Sequence, residues 1–130
     1  MIRSRFPDLE ISRLVKVSPE AVWDLLTDTY RWVEWGPSIL EVQSSERYIR
    51  RGSRGRVRTA VGIWVPFVVT EFDPGCWWSW QVGGVRATGH RVEPQDGRVC
   101  RLIFTVPVYA APYLVVCKMA MGRIVRILEG

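Results

Sequence analysis

The stretch "VTEFDPGCWWSWQVGG", Val69 to Gly84, decides how the chain folds. Asp73-Pro74-Gly75 is turn chemistry, because proline presets φ and glycine tolerates positive φ. Its flanks are rich in β-branched and aromatic residues, which predicts antiparallel strands over 63–72 and 76–83. Side chains alternate along a strand, so Trp78, Trp80 and Val82 share one face while Trp77, Ser79 and Gln81 share the other. The polar set faces out. Trp78 and Trp80 therefore point inward, where they either fill a core or line a cavity, and Trp77 is left on the outer face.

The same punctuation recurs on both sides of this hairpin. "RRGSRG", Gly62, Gly83-Gly84 and Gln95-Asp96-Gly97 separate further strands over 39–48, 54–61, 85–94 and 98–108. Such tight spacing implies successive hairpins. At the start of the chain, 8–17 alternates as another strand, with Leu9, Ile11, Val15 and Val17 on one face. "SPEAVWDLLTD" then opens a helix with Ser18 as N-cap, Pro19 in the first turn and Glu20 complementing the helix dipole. A second short helix covers "TYRWVEWG" and ends at Gly36-Pro37. Pro112 to Glu129 reads as a closing helix, apolar around most of its circumference and so expected to be buried on several sides.

The order is strand, two helices, six strands, one long helix. This predicts an α+β fold in which a curved antiparallel sheet wraps a C-terminal helix, as one domain over 1–130. With 48% hydrophobic residues the chain can build a core. The N-terminus "MIRSRFPDLE" has no apolar run and does not read as a signal peptide. Lys118, Arg123 and Arg126 interrupt the apolar tail, so no transmembrane span is expected. Cys76, Cys100 and Cys117 lack metal or redox spacing and read as reduced core residues of a cytoplasmic protein.

"VSPEAVWDLLTD", "WVEWGPSILEV", "VTEFDPGCWWSWQVGG", "GHRVEPQDGRVCRLIF" and the terminal helix together resemble the START-like (SRPBCC) superfamily. The branch they resemble is polyketide cyclase/dehydrase and lipid transport. The resemblance runs from about residue 9 to 129. It implies a helix-grip fold with a mostly apolar cavity between sheet and long helix. Members of that superfamily bind or carry lipids, sterols, polyketides, quinones or hormones, and some catalyse cyclisation or dehydration. No catalytic residue carries over.

Parity nominates the cavity lining. Trp78 and Trp80 offer wide apolar faces and indole N–H donors. His90, the one histidine, shares a face with Val92 and is either a hydrogen-bonded core residue or a group that orients a ligand carbonyl or moves a proton. Arg13 interrupts an apolar face; buried, it needs an acidic side chain or a ligand carboxylate, and a strand irregularity would turn it outward. Leu102 and Phe104 form wall, Met119 offers a pliable contact, and Trp35 beside Gly36-Pro37 sits where a flap or a packed helix is expected.

No metal-ligand spacing, phosphate loop or nucleophile elbow is present, so neither a metal nor another cofactor is expected. The net charge of +5 is carried by arginine, with six between Arg47 and Arg58. That segment is either a solvated hairpin or a surface for an anionic partner. Nucleic acid is disfavoured, since Tyr48 is the only aromatic ring among those arginines. The expected function is binding or transport of a hydrophobic small molecule by a monomer or homodimer. The alternatives are a metal-independent cyclase or dehydratase using His90, and a basic adaptor for a protein or ribosomal partner.

Overall fold

The computed structural model describes residues 8–130. Seven strands, β1 (Asp8–Val15), β2 (Ile39–Ser44), β3 (Arg54–Thr59), β4 (Trp64–Asp73), β5 (Trp77–Val82), β6 (Val85–Pro94) and β7 (Cys100–Pro107), form one antiparallel sheet in the order β1-β7-β6-β5-β4-β3-β2. From β2 to β7 each strand pairs with the next in sequence, the outcome of the short turns. The hairpin at the centre of this series behaves as its residues dictate: Gly75 takes φ 79°, and Cys76 N–H bonds to the Asp73 carbonyl. The strand predicted over 39–48 stops at Ser44, because Asp28 forms an isolated bridge with Tyr48 and draws the following loop toward α1.

Helix α1 (Pro19–Thr27) starts as expected, with Ser18 Oγ accepting from Ala21 N–H at 3.2 Å. Its end is less ordinary. The last carbonyls of a helix lack intrahelical partners, and here all four are claimed. Asp28 N–H bonds to Asp24 O, and Ile49 N–H to Thr27 O. Trp35 Nε1 donates to Leu25 O at 3.2 Å, and Trp32 Nε1 to Leu26 O at 2.9 Å. The short helix α2 (Trp32–Trp35) is thereby fastened under α1 by its own indoles.

The closing helix α3 (Leu114–Glu129) begins two residues later than Pro112, which lies in a 3-10 turn over Val108–Tyr113. It presses Cys117, Ala120, Met121 and Ile124 into the core, while Val115 and Met119 face solvent. The expectation of burial on several sides fails because the sheet and the first two helices cover only one flank. By length and composition Val108–Glu129 could cross a membrane, but in this fold it spans the hollow of the sheet. Cys76 is exposed at its turn, contrary to expectation, while Cys100 and Cys117 are buried.

Candidate functional site

The depth of the grip is filled by aromatic rings. Trp78 is 1% exposed and stacks on Trp32 with centroids 5.5 Å apart and planes 5° from parallel. Trp80 meets both of these edge-on, at 5.6 and 5.3 Å, and Phe67 closes the group. On the other side of Trp78 lies His90, with Phe104 edge-on to the imidazole at 4.9 Å. Offset-stacked and edge-to-face pairs suit the quadrupoles of such rings. They leave a residual void of about 30 Å³ beneath α3, room for little more than a water molecule.

His90 is held in one tautomer. Trp80 Nε1–H can only donate, and it does so to Thr88 Oγ1 at 3.0 Å. Thr88 in turn lies 3.2 Å from His90 Nε2, and His90 Nδ1 lies 3.3 Å from the Trp78 carbonyl. A carbonyl only accepts, so Nδ1 carries the proton and Nε2 accepts from Thr88. Burial holds the ring neutral, pulling its pKa down to about 3, with the Trp78 carbonyl opposing only in part. Both nitrogens are spoken for. The thiol of Cys117, also on the wall of the void, is raised by burial to about 11 and stays protonated at neutral pH.

A larger pocket of about 460 Å³ lies at the end of the sheet where β3, β5 and β7 finish and β2 and β6 begin. That volume falls in the roughly 300–1,000 Å³ span of small-molecule sites. Its wall is mostly aliphatic, with Ile39, Val57, Val82, Ala87 and Val106 inside and Val61, Val85 and Tyr109 on an exposed rim. Trp80, Thr88, Ile39, Ser38 and Tyr113 border both this pocket and the inner void, so they form the partition between them. A β-bulge shapes that partition: Trp80 alone faces Ala87 and Thr88, which brings both residues onto the pocket wall.

The residues nominated from the sequence therefore scatter. Trp80 lines the pocket and the void. Trp35, Trp78, His90 and Phe104 border only the void, and Leu102 is fully buried core. Trp35 is not a flap, since its indole terminates α1. Arg13 is exposed, because β1 is an edge strand and Ser12 and Leu14 beside it are exposed too. Met119 is half exposed on the outer face of α3 and borders neither hollow. Sequence reasoning passed over Ser38, Ile39 and the Tyr109–Tyr113 turn. The i, i+4 spacing of those two tyrosines ahead of the helix is the one signal that could have marked it.

Three of the six arginines between Arg47 and Arg58 pair with nearby carboxylates. Arg47 grips the buried Asp28 with two hydrogen bonds, Nε–Oδ1 at 3.0 Å and Nη2–Oδ2 at 2.9 Å. Arg50 pairs with Glu46 and Arg58 with Glu41, while Arg56 bonds Gln43 and lies over the Trp64 ring.

Comparison with known families decides what this architecture is. The model for polyketide cyclase / dehydrase and lipid transport matches residues 7–129, nearly the entire chain. The chain belongs to that family. The polyketide cyclase/dehydrase and lipid transport fold is equally plain in solved structures. An uncharacterised protein of Bacillus thuringiensis superimposes with a TM-score of 0.73 at 12% identity, over 95% of this chain and 100% of the other. The protein XoxI of Bacillus cereus gives 0.73 at 12%, over 94% and 95%. A protein of Nitrosomonas europaea gives 0.71 at 16%, over 94% of each chain. At such identities the likeness is one of fold. No curated protein matches the sequence. Membership in the polyketide cyclase/dehydrase and lipid transport family makes this a START-like helix-grip protein, a fold that supports a ligand-binding role.

Proposed function

We propose that the protein binds a hydrophobic small molecule in the pocket at the open end of the grip, for carriage or sensing. One observation carries this reading: an aliphatic pocket of about 460 Å³ opens between exposed apolar residues, of which Val61 is 80% exposed. Apolar side chains left facing solvent around a concavity cost little once a partner covers them. Burial at roughly 25 cal/mol per Å² of apolar surface supplies the affinity. Trp80 forms the floor. The unpaired thiols suit a reducing, cytoplasmic setting. The cyclase reading gains no such support, because His90 has neither a free lone pair nor a free N–H.

The neutral dye N-phenyl-1-naphthylamine tests the site, since its emission rises in apolar surroundings. Wild type is expected to bind it. Ala87→Trp, which fills the pocket from its wall, is expected to abolish binding with an unchanged circular dichroism spectrum. Equal dye binding by the variant, or none by wild type, overturns the assignment.

A further inference from the structure

We propose that the pocket selects an uncharged ligand, an apolar body bearing one hydroxyl or carbonyl oxygen that seats against the Ser38–Tyr113 hydroxyl pair. The inference rests on the pocket reading above and adds the chemical class of the guest.

The polar inventory of the wall is short. Among the described residues Arg86 is its one charged side chain, and its Nη1 sits 2.9 Å from Asp8 Oδ1. The pair contributes no net charge to the wall. A carboxylate or phosphate entering there meets aliphatic groups and a cation already matched to an anion, so it loses hydration without a compensating partner. Thr88, itself buried, has given its one proton to His90 and accepts from Trp80, so it has none to donate to a guest. The Thr59 hydroxyl is closed off from solvent. Tyr109 already donates its proton to the Arg86 carbonyl.

The remaining pair is different. Ser38 Oγ and Tyr113 Oη lie 2.6 Å apart, and both residues border the pocket at its partition. Two hydroxyls bring two protons, and one bond between them uses one. The other is left to donate, and lone pairs on both oxygens remain to accept. Both residues line the pocket, so the pair borders the space a guest would fill. This arrangement can satisfy a ligand carbonyl, which only accepts, or a hydroxyl, which does both. It offers an anion only one neutral hydrogen bond.

Competition against bound N-phenyl-1-naphthylamine by 1-dodecanol and by dodecanoic acid tests the proposal, at about pH 8 and about pH 4.5. At the higher pH the alcohol is expected to displace the dye at least about tenfold more effectively than the acid. The gap is expected to narrow at the lower pH, where the acid is partly neutral. In the Ser38→Ala, Tyr113→Phe double variant, dodecanol is expected to bind about tenfold more weakly, the loss of one net hydrogen bond. Dodecanoate competing as well as dodecanol at the higher pH, or an unchanged dodecanol affinity in the double variant, overturns the proposal and leaves the pocket standing. Failure of the dye itself to bind wild type brings down the pocket reading as well.

Discussion

Trp78 lies flat against His90, ring centroids 3.9 Å apart and planes 21° from parallel. A neutral imidazole stacks there without difficulty; an imidazolium would bring a charge into a site sealed by Trp35 and Phe104. In the unfolded chain the ring takes up its proton near pH 6.5, and in the folded one not until about 3. Between those limits the unfolded state binds more protons. Stability is therefore complete above about pH 6.5 and falls as pH drops toward 3, by about 1.4 kcal/mol per pH unit from this group. Urea unfolding across that window is expected to show the slope, and His90→Gln to flatten it. An equal slope in the variant would assign the effect elsewhere.

Trp80 divides the two hollows while donating to Thr88. Trp80→Phe removes that donor and part of the partition. A loss of about 1–3 kcal/mol is expected from urea unfolding, with a larger pocket that accepts a bulkier apolar dye than wild type. Unchanged size selectivity would show that the indole does not set the pocket floor.

Gly89 is buried because Trp77 needs the space. A Cβ built there meets the edge of the Trp77 ring and the Thr105 hydroxyl. Trp77, on the outer face as parity places it, bonds Glu71 through Nε1 at 3.1 Å and lies under Arg91. Gly89→Ala is expected to cost about 1–3 kcal/mol. Combined with Trp77→Val it is expected to cost much less than the two changes added, a non-additivity read from denaturation of the four proteins.

Arg47 holds the carboxyl of Asp28 below the usual carboxylate range, helped by the Tyr30 backbone N–H. A depressed carboxylate pKa stabilises the fold above its unfolded value, and that contribution is lost as pH falls through the folded one. Arg47→Met is expected to move the acid-unfolding midpoint upward. Arg51→Met, in the same loop without such a grip, is expected to leave it in place, and equal shifts in both would point to net charge alone.

Much of the fold was legible because its signals are local. Turn residues and period-2 alternation marked every hairpin, and the same parity put Trp78 and Trp80 inside. What escaped depends on contacts between distant segments. That Trp32 stacks on Trp78 follows from how α1 ends, since its carbonyls take the indole N–H groups of α2. Met119 was misplaced because a helix apolar around most of its circumference gives only a weak phase by which to choose its buried face. Arg13 stayed undecided because alternation reports a face of the strand and not whether anything covers it at the sheet edge. The pocket itself is made by the ends of distant elements meeting, with Ser38 just ahead of β2 and Tyr113 closing a turn seventy-five positions on.

The partition at Trp80 gives the two ends of the grip separate duties. Interlocked indoles make the closed end stiff, and nothing there has to open for traffic. On the proposed reading, a guest at the other end would rest near the surface, one flank toward the outside, where it could be passed on without unpacking the interior. Exchange and rigidity are thereby decoupled along a single sheet.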